Sequence, residues 1–293
     1  MSAKIQLTHR DEPLADCNVT LVRKTVRRHM ACSRIHHTQG QNMDYQSENA
    51  RTIDRWVDEG WQWGVPISHD AFVAAQNGTW DILLTPTKTV PHEWVGDVRC
   101  KRVLGLASGG AQQMPIMTAL GAQCTVLDYS SRQCEREIEV AQREGYEIEV
   151  VQADMTQPLP FEDESFDLII NPVSNCYIEQ VRPVFRECHR VLKPGGSLIG
   201  GYDNGINYIF DDEETTLTNT LPFNPLHDER ARQMLLRTDC GMQFSHTLDE
   251  QIGGQLEAGF VLRALYEDTN GEGNLHEHHV PTYIATWSVK PSC

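Results

Sequence analysis

Between residues 101 and 203, short apolar runs alternate with segments of helical period, and that rhythm leaves few folds open to the chain. Val103 to Ala107, Cys124 to Leu127, Glu149 to Gln152, Phe166 to Ile170 and Ser197 to Tyr202 read as strands. Gln112 to Leu120, Ser131 to Glu144 and Val181 to Leu192 read as helices, the second stopped by Gly145. Strands that stay apolar on successive residues and are separated by helices belong to a parallel sheet covered on both faces. In a doubly wound α/β sheet of this kind, ligands sit beyond the carboxyl ends of the strands.

Three of those strand ends carry chemistry. The first strand runs into "ASGGAQQ", a loop whose missing side chains let backbone approach a ligand. Its N–H groups at the following helix start are expected to favour an anion or carboxylate, and the alternative is a plain tight turn. Asp128 closes the second strand 19 residues after Gly109, the place and spacing of an acid that accepts both hydroxyls of a ribose. The competing role for Asp128 is a helix N-cap, which Ser130 and Ser131 can supply instead. Asp154, at the end of the third strand, is placed to accept the exocyclic amine of an adenine beside Met155, or else simply to form a turn.

Composition narrows the partner. The chain has 293 residues and a formal charge of −16, which disfavours nucleic acid, whose binding needs clustered Lys and Arg. No apolar stretch reaches the roughly 18 residues of a membrane span, so no membrane partner is expected. Nine cysteines are scattered without a CxxC pair, a pattern suited to reduced thiols in the cytoplasm and not to zinc. "LHEHHV" (His276, His278, His279) reads as a solvated loop, and no metal is expected.

Residues 1 to 42 carry seven Lys or Arg against three acids and little apolar periodicity. They read as a disordered extension, with Met30 or Met43 as alternative starts. Residues 43 to 100 hold five of the six tryptophans and read as a helical cap, packed as core or closing over a ligand. Within it, Ile53, Trp56, Val57 and Trp61 share a helix face, and Ser68 caps a second helix. The main domain spans 101 to 293, with an insertion over 204 to 246 that contains a helix from Asp228 to Arg237. A helix from Thr247 to Glu257 and strands at Phe260 to Tyr266 and Thr282 to Val289 follow.

Taken together, "VLGLASGG", "VLDYS", "QADMTQPLPFEDESFDLI" and "CHRVLKPGGSLIGG" resemble the successive motifs of class I S-adenosylmethionine-dependent methyltransferases, in their small-molecule (type 11-like) branch. The resemblance covers about Lys101 to Tyr202, and Gly259 to Lys290 is similar to the family's terminal antiparallel strand pair. It implies a Rossmann-like, mostly parallel seven-stranded sheet and S-adenosylmethionine as cofactor, bound by Ala107, Ser108, Gly109, Gly110, Gln112, Asp128, Tyr129, Asp154, Met155 and Asn171. The family's DxGxGxG loop is altered: Gly105 replaces the acid, and Ala107 and Ala111 replace the first and last glycines.

"NPVSNCY" (residues 171 to 177) is similar, loosely, to the NPPY-type motif of amine-modifying members. Asn175, Tyr177, Tyr202 and Asn204 are expected to line the acceptor side, with Asn207 and Tyr208 as further candidates. Methyl transfer is an in-line displacement at an activated carbon, so no nucleophilic residue is required. If the acceptor must lose a proton, His69, His189 and His246 are the candidate bases. The expected acceptor is a small, neutral or cationic molecule, chosen by the Trp-rich cap and the insertion. A non-catalytic binder of the same cofactor and a nucleotide-dependent oxidoreductase are the competing readings. The oligomeric state is left open.

Overall fold

The computed structural model describes residues 44–292, so the readings made for the basic extension lie outside the described residues. Seven strands form one sheet: β1 Arg102–Leu106, β2 Gln123–Asp128, β3 Glu149–Gln152, β4 Phe166–Asn171, β5 Leu192–Asp203, β6 Val261–Asp268 and β7 Tyr283–Val289. Their order is β3-β2-β1-β4-β5-β7-β6. The first five run parallel, and β7 lies antiparallel between β5 and β6. This is the doubly wound, Rossmann-like architecture expected from the sequence.

Both faces of the sheet are covered, which is why the central strands contain so few polar residues. Leu104, Leu106, Leu127, Phe166, Ile169 and Leu198 pack on one side, against Val184, Phe185, Cys188 and Val191. Val103, Val126, Leu168, Ile170 and Ile199 pack on the other, against Met114, Met117, Trp94 and Val95. Adjacent residues of β1 thus serve opposite cores, as the two-residue period of a strand requires.

The helices are α1 Tyr45–Asp58, α2 His69–Gln76, α3 His92–Val95, α4 Met114–Ala119, α5 Ser131–Glu144, α6 Arg182–Val191, α7 Glu229–Thr238, α8 Gly254–Glu257 and α9 Gly273–Glu277. Helix α5 matches its sequence bounds because its signals are strong: Ser130 accepts from the Gln133 N–H, and Gly145 ends the helix at φ +78°. Helix α4 begins two residues later than expected, with Pro115 in its first turn. The two glutamines before it are drawn into the loop, where Gln113 Nε2 donates to the Leu83 carbonyl. The segment expected as a helix over Thr247 to Glu257 winds as a π turn over Asp249–Gly253 before α8.

The Trp-rich segment and the insertion meet each other over the sheet. Tyr45 of α1 packs with Phe223, Ala231, Leu235, Met242 and Phe244 in a third cluster. Asn49 ties the two parts together: its Oδ1 accepts from the Met242 N–H at 2.7 Å, and its Nδ2 donates to the carbonyls of Met242 at 2.9 Å and Tyr177 at 3.1 Å. Of the described cysteines, Cys124, Cys134, Cys176, Cys188 and Cys240 are free thiols.

Candidate active site

The carboxyl ends of β1 to β5 open into a cavity of about 350 Å³. The loop after β1 forms one wall, but its N–H groups are already engaged. Ala107 N donates to the Leu127 carbonyl at 2.7 Å, Gly109 N to Asp128 Oδ2 at 2.9 Å, Gly110 N to the Gln133 carbonyl at 3.0 Å and Ala111 N to Glu137 Oε1 at 2.7 Å. The expected anion cradle is therefore corrected at these four positions: the loop is small so that strand, helix α5 and roof can close around it. A Cβ on Gly109 would lie 2.5 Å from Gln133 Cβ, and one on Gly110, at φ +89°, would lie 2.6 Å from the Trp63 carbonyl.

Asp128 and Asp154, at the tips of neighbouring strands, line this same cavity. Asp128 accepts from Gly109 N and, through Oδ1, from Ser130 N at 2.9 Å. Burial pushes its carboxyl up to about 6 against the pull of those two N–H groups. Each of its oxygens retains a lone pair for a further donor. Asp154 accepts from the N–H and hydroxyl of Thr156, both at 2.8 Å, so it forms a turn and lines the cavity together. Ala107, Gly109, Gln112, Tyr129, Met155, Tyr177 and Tyr208 complete the set of expected residues that the wall contains.

Other expected residues are placed elsewhere. Ser108 is buried and donates to Gln113 Oε1, and Gly110 lies beneath Trp63. Asn171 Nδ2 donates to the Leu106 carbonyl and Ser174 Oγ, both at 2.9 Å. Asn175 donates to Gln251 and Asn204 to the Pro281 carbonyl. Tyr202 points into the opposite core, edge-on to Phe185 with ring centres 5.8 Å apart.

None of the three candidate histidines borders the cavity. His69 pairs with Glu144 at the surface, and His189 packs edge-on to Phe260. His246 Nε2 faces the carbonyls of Asn175 and Ile178 at 3.0 and 2.9 Å, and burial lowers its pKa. His276 bonds Thr269 and His278 the Asn274 carbonyl. Among the described residues no group of three or more His, Cys, Asp or Glu is arranged to hold a metal.

The Trp-rich cap was expected either as core or as a lid, whereas Gln46, Asn49, Asp203, Gln243 and Tyr283 were not singled out from the sequence. Gln46, Asn49 and Ile53 of α1, with Trp61 and Trp63, roof the cavity, while Asp203, Gln243 and Tyr283 close its far end beside Tyr208. The roof is held by Asp54, whose carboxylate accepts from Ser130 Oγ at 2.5 Å, Ser131 Oγ at 2.8 Å and Arg132 N at 3.0 Å at the start of α5. Trp80 and Trp94 serve packing instead, stacked on His92 and Tyr266.

Residues 104–200 match the methyltransferase domain family. The chain is 37% identical to a protein named uncharacterized methyltransferase YbaJ of Bacillus subtilis, over 83% of this chain and 98% of that one. The chain belongs to the class I S-adenosylmethionine-dependent methyltransferases. Two solved structures share the methyltransferase's fold. A geranyl diphosphate C-methyltransferase from Streptomyces coelicolor superposes with a TM-score of 0.56 at 13% identity, covering 86% of this chain and 100% of that one. An S-adenosylmethionine-dependent methyltransferase from Mesorhizobium loti gives 0.54 at 18% identity, covering 68% and 94%. Among the described residues of the methyltransferase no helix is long and apolar enough to cross a membrane.

Proposed function

We propose that the cavity at the strand tips holds the cofactor and a small-molecule acceptor together, making the enzyme a methyltransferase of the EC 2.1.1 class. The observation that carries this reading is the convergence of Asp128 and Asp154, from adjacent strands, on one cavity. The residues present suit the adenosyl group. Asp128 offers acceptors to ribose hydroxyls, and Asp154 offers one to an adenine amine, with Met155 and Ile178 as apolar neighbours. Gln133 Oε1, buried and without a partner among the described residues, adds an acceptor on the same wall.

S-adenosylmethionine, when bound, supplies a methyl group on a sulfonium sulfur that departs as a neutral thioether. The protein's part is positional: Trp61, Trp63 and α1 exclude water, and the tip of β5 faces the acceptor side. No Lys, Arg or His lines the cavity among the described residues, so the protein's own side chains offer no positive charge to an acceptor. A volume of about 350 Å³ falls within the range of small-molecule sites, roughly 300–1,000 Å³.

Calorimetry with S-adenosylhomocysteine tests the assignment. The wild type should bind it, and Asp128→Ala should weaken binding by about 1–3 kcal/mol, the cost of leaving buried hydroxyls unpartnered. No heat with the wild type, or unchanged affinity in the variant, refutes it.

A further inference from the structure

The far end of the cavity has a chemistry that cofactor binding does not use. The tip of β5 places Asp203 there, with Cys176, Tyr177, Tyr208, Gln243 and Tyr283. Asp203 is 2% exposed. Its Oδ1 accepts from Gly205 N at 3.1 Å, while Oδ2 has no partner among the described residues.

The titratable neighbours supply no positive charge. Burial raises the pKa of Cys176, Tyr208 and Tyr283, so they stay protonated and neutral. The same burial pushes Asp203 up to about 7. A carboxyl group enclosed in this way is expensive in its charged form unless something brings a counter-charge. Buried polar atoms without partners are uncommon, and this carboxyl group belongs to a residue that borders the cavity.

The approach to this end has a matching character. A shallow outer depression of about 470 Å³ is lined by Trp56, Glu59, Trp61, Tyr177, Asp239 and Gln243, and it shares Trp61, Tyr177 and Gln243 with the inner cavity. Trp56 has its ring centre 5.4 Å from that of Trp61 and 6.4 Å from that of Tyr177. Arg55 pairs with Asp239 at 2.6 Å, yet no Lys, Arg or His lines either space among the described residues. Aromatic walls and carboxylates together attract a cation and repel an anion.

We infer that the methyl acceptor carries a cationic nitrogen, with Asp203 as its counter-ion at the inner end of the cavity and Trp56, Trp61 and Tyr177 as the wall along which it enters. The inference rests on the methyltransferase reading of the same cavity and names its acceptor class. In this reading the Asp203 carboxylate also takes the proton that an ammonium sheds before its nitrogen lone pair is free. The recognising atom is thus a carboxylate on β5, distinct from the Asn171 motif on β4 whose amide is already committed.

The test uses the full chain saturated with S-adenosylhomocysteine and three probes of nearly one shape. They are choline, its uncharged isostere with tert-butyl in place of trimethylammonium, and the corresponding tert-butyl carboxylate. In wild-type protein choline should bind at least about tenfold more tightly than the uncharged isostere, and the carboxylate should give no heat. Asp203→Asn keeps the shape and the acceptor for Gly205 N. It should bring choline down to the isostere's affinity while leaving S-adenosylhomocysteine binding within about threefold, since Asp203 sits at the acceptor end.

Equal or tighter binding of the isostere or the carboxylate overturns the inference, as does a choline preference that survives Asp203→Asn. The wild-type comparison needs no variant to fold. Intact S-adenosylhomocysteine binding without cation preference fails this inference alone, whereas no S-adenosylhomocysteine binding at all fails the cofactor assignment first.

Discussion

Glu137→Gln should change how the stability of this protein depends on pH, and the direction follows from one buried carboxyl group. Glu137 is fully buried on α5; Oε1 accepts from Ala111 N at 2.7 Å and Oε2 has no partner among the described residues. Burial raises its pKa from 4.5 to about 8, opposed by the Ala111 N–H and assisted by the negative charge of Asp128. The other titratable groups close enough to matter are Cys124, Cys134 and Tyr146, all kept neutral by burial. The folded pKa lies above the unfolded one. The contribution is therefore fully present below about pH 4.5 and is lost as pH rises through about 8, because the unfolded chain releases the proton first.

At about 1.4 kcal/mol per unit, the full loss is on the order of 5 kcal/mol, and relaxation around the charge reduces it to about half. Glutamine keeps a carbonyl for Ala111 N and does not titrate, while its amide leaves two donors without partners, a cost of about 1–3 kcal/mol at every pH. In urea unfolding, Glu137→Gln should be the less stable protein near about pH 5. It should gain roughly 2–4 kcal/mol relative to wild type by about pH 9. A difference that stays constant across that range, or that moves the other way, refutes the assignment of a raised pKa to this group.

Gly110→Ala should weaken S-adenosylhomocysteine binding at least about tenfold in calorimetry with the sheet's circular dichroism intact, because its Cβ would meet the Trp63 carbonyl and Gln133 Oε1, each at 2.6 Å, at a φ of +89°. Asn49→Ala strips partners from Met242 N–H and from the Met242 and Tyr177 carbonyls. It should cost about 2–4 kcal/mol and raise hydrogen exchange at Met242, whereas protection equal to wild type there would show that the roof holds without Asn49. Tyr202→Phe should leave S-adenosylhomocysteine affinity unchanged and shift stability by no more than about 1 kcal/mol; a loss of affinity would mean that its ring reaches the cavity after all.

The strand and helix pattern was legible in the sequence because local and tertiary demands agree there: β3 and α5 keep the bounds their residues suggest. The acids Asp128 and Asp154 were legible for a related reason, since the end of a parallel strand fixes where a side chain can go. One-residue parity was not. Tyr202 was the obvious polar aromatic at the end of β5, yet β5 turns it into the core and turns Asp203 to the cavity. A strand's alternation can be placed only when one face is known, and the run of β5 before Tyr202, residues 198–201, is apolar or glycine on both. Asn171 was less legible for another reason, because a short polar side chain at a strand end can serve backbone as well as ligand, and its Nδ2 donates to the Leu106 carbonyl.

The roof was beyond sequence because its contacts join residues far apart in the chain. Asp54 reaches the start of α5, Gln112 Nε2 donates to the carbonyls of Gln62 and Val65, and Gln133 Nε2 donates to that of Trp63. These bonds tie the loop's end and α5 to the Trp-rich segment, so raising that segment would also strip the Gln112 and Gln133 amides of their acceptors. Asp54 alone accepts three bonds, each of which contributes roughly 1 kcal/mol or more to a charged acceptor. Opening the roof over the adenosyl end is thus costly, while the depression beside Trp56 and Glu59 shares Trp61, Tyr177 and Gln243 with the cavity. An acceptor arriving by that side meets Trp61 and Tyr177 first and Asp203 last, with the adenosyl end and its two strand-end acids left undisturbed.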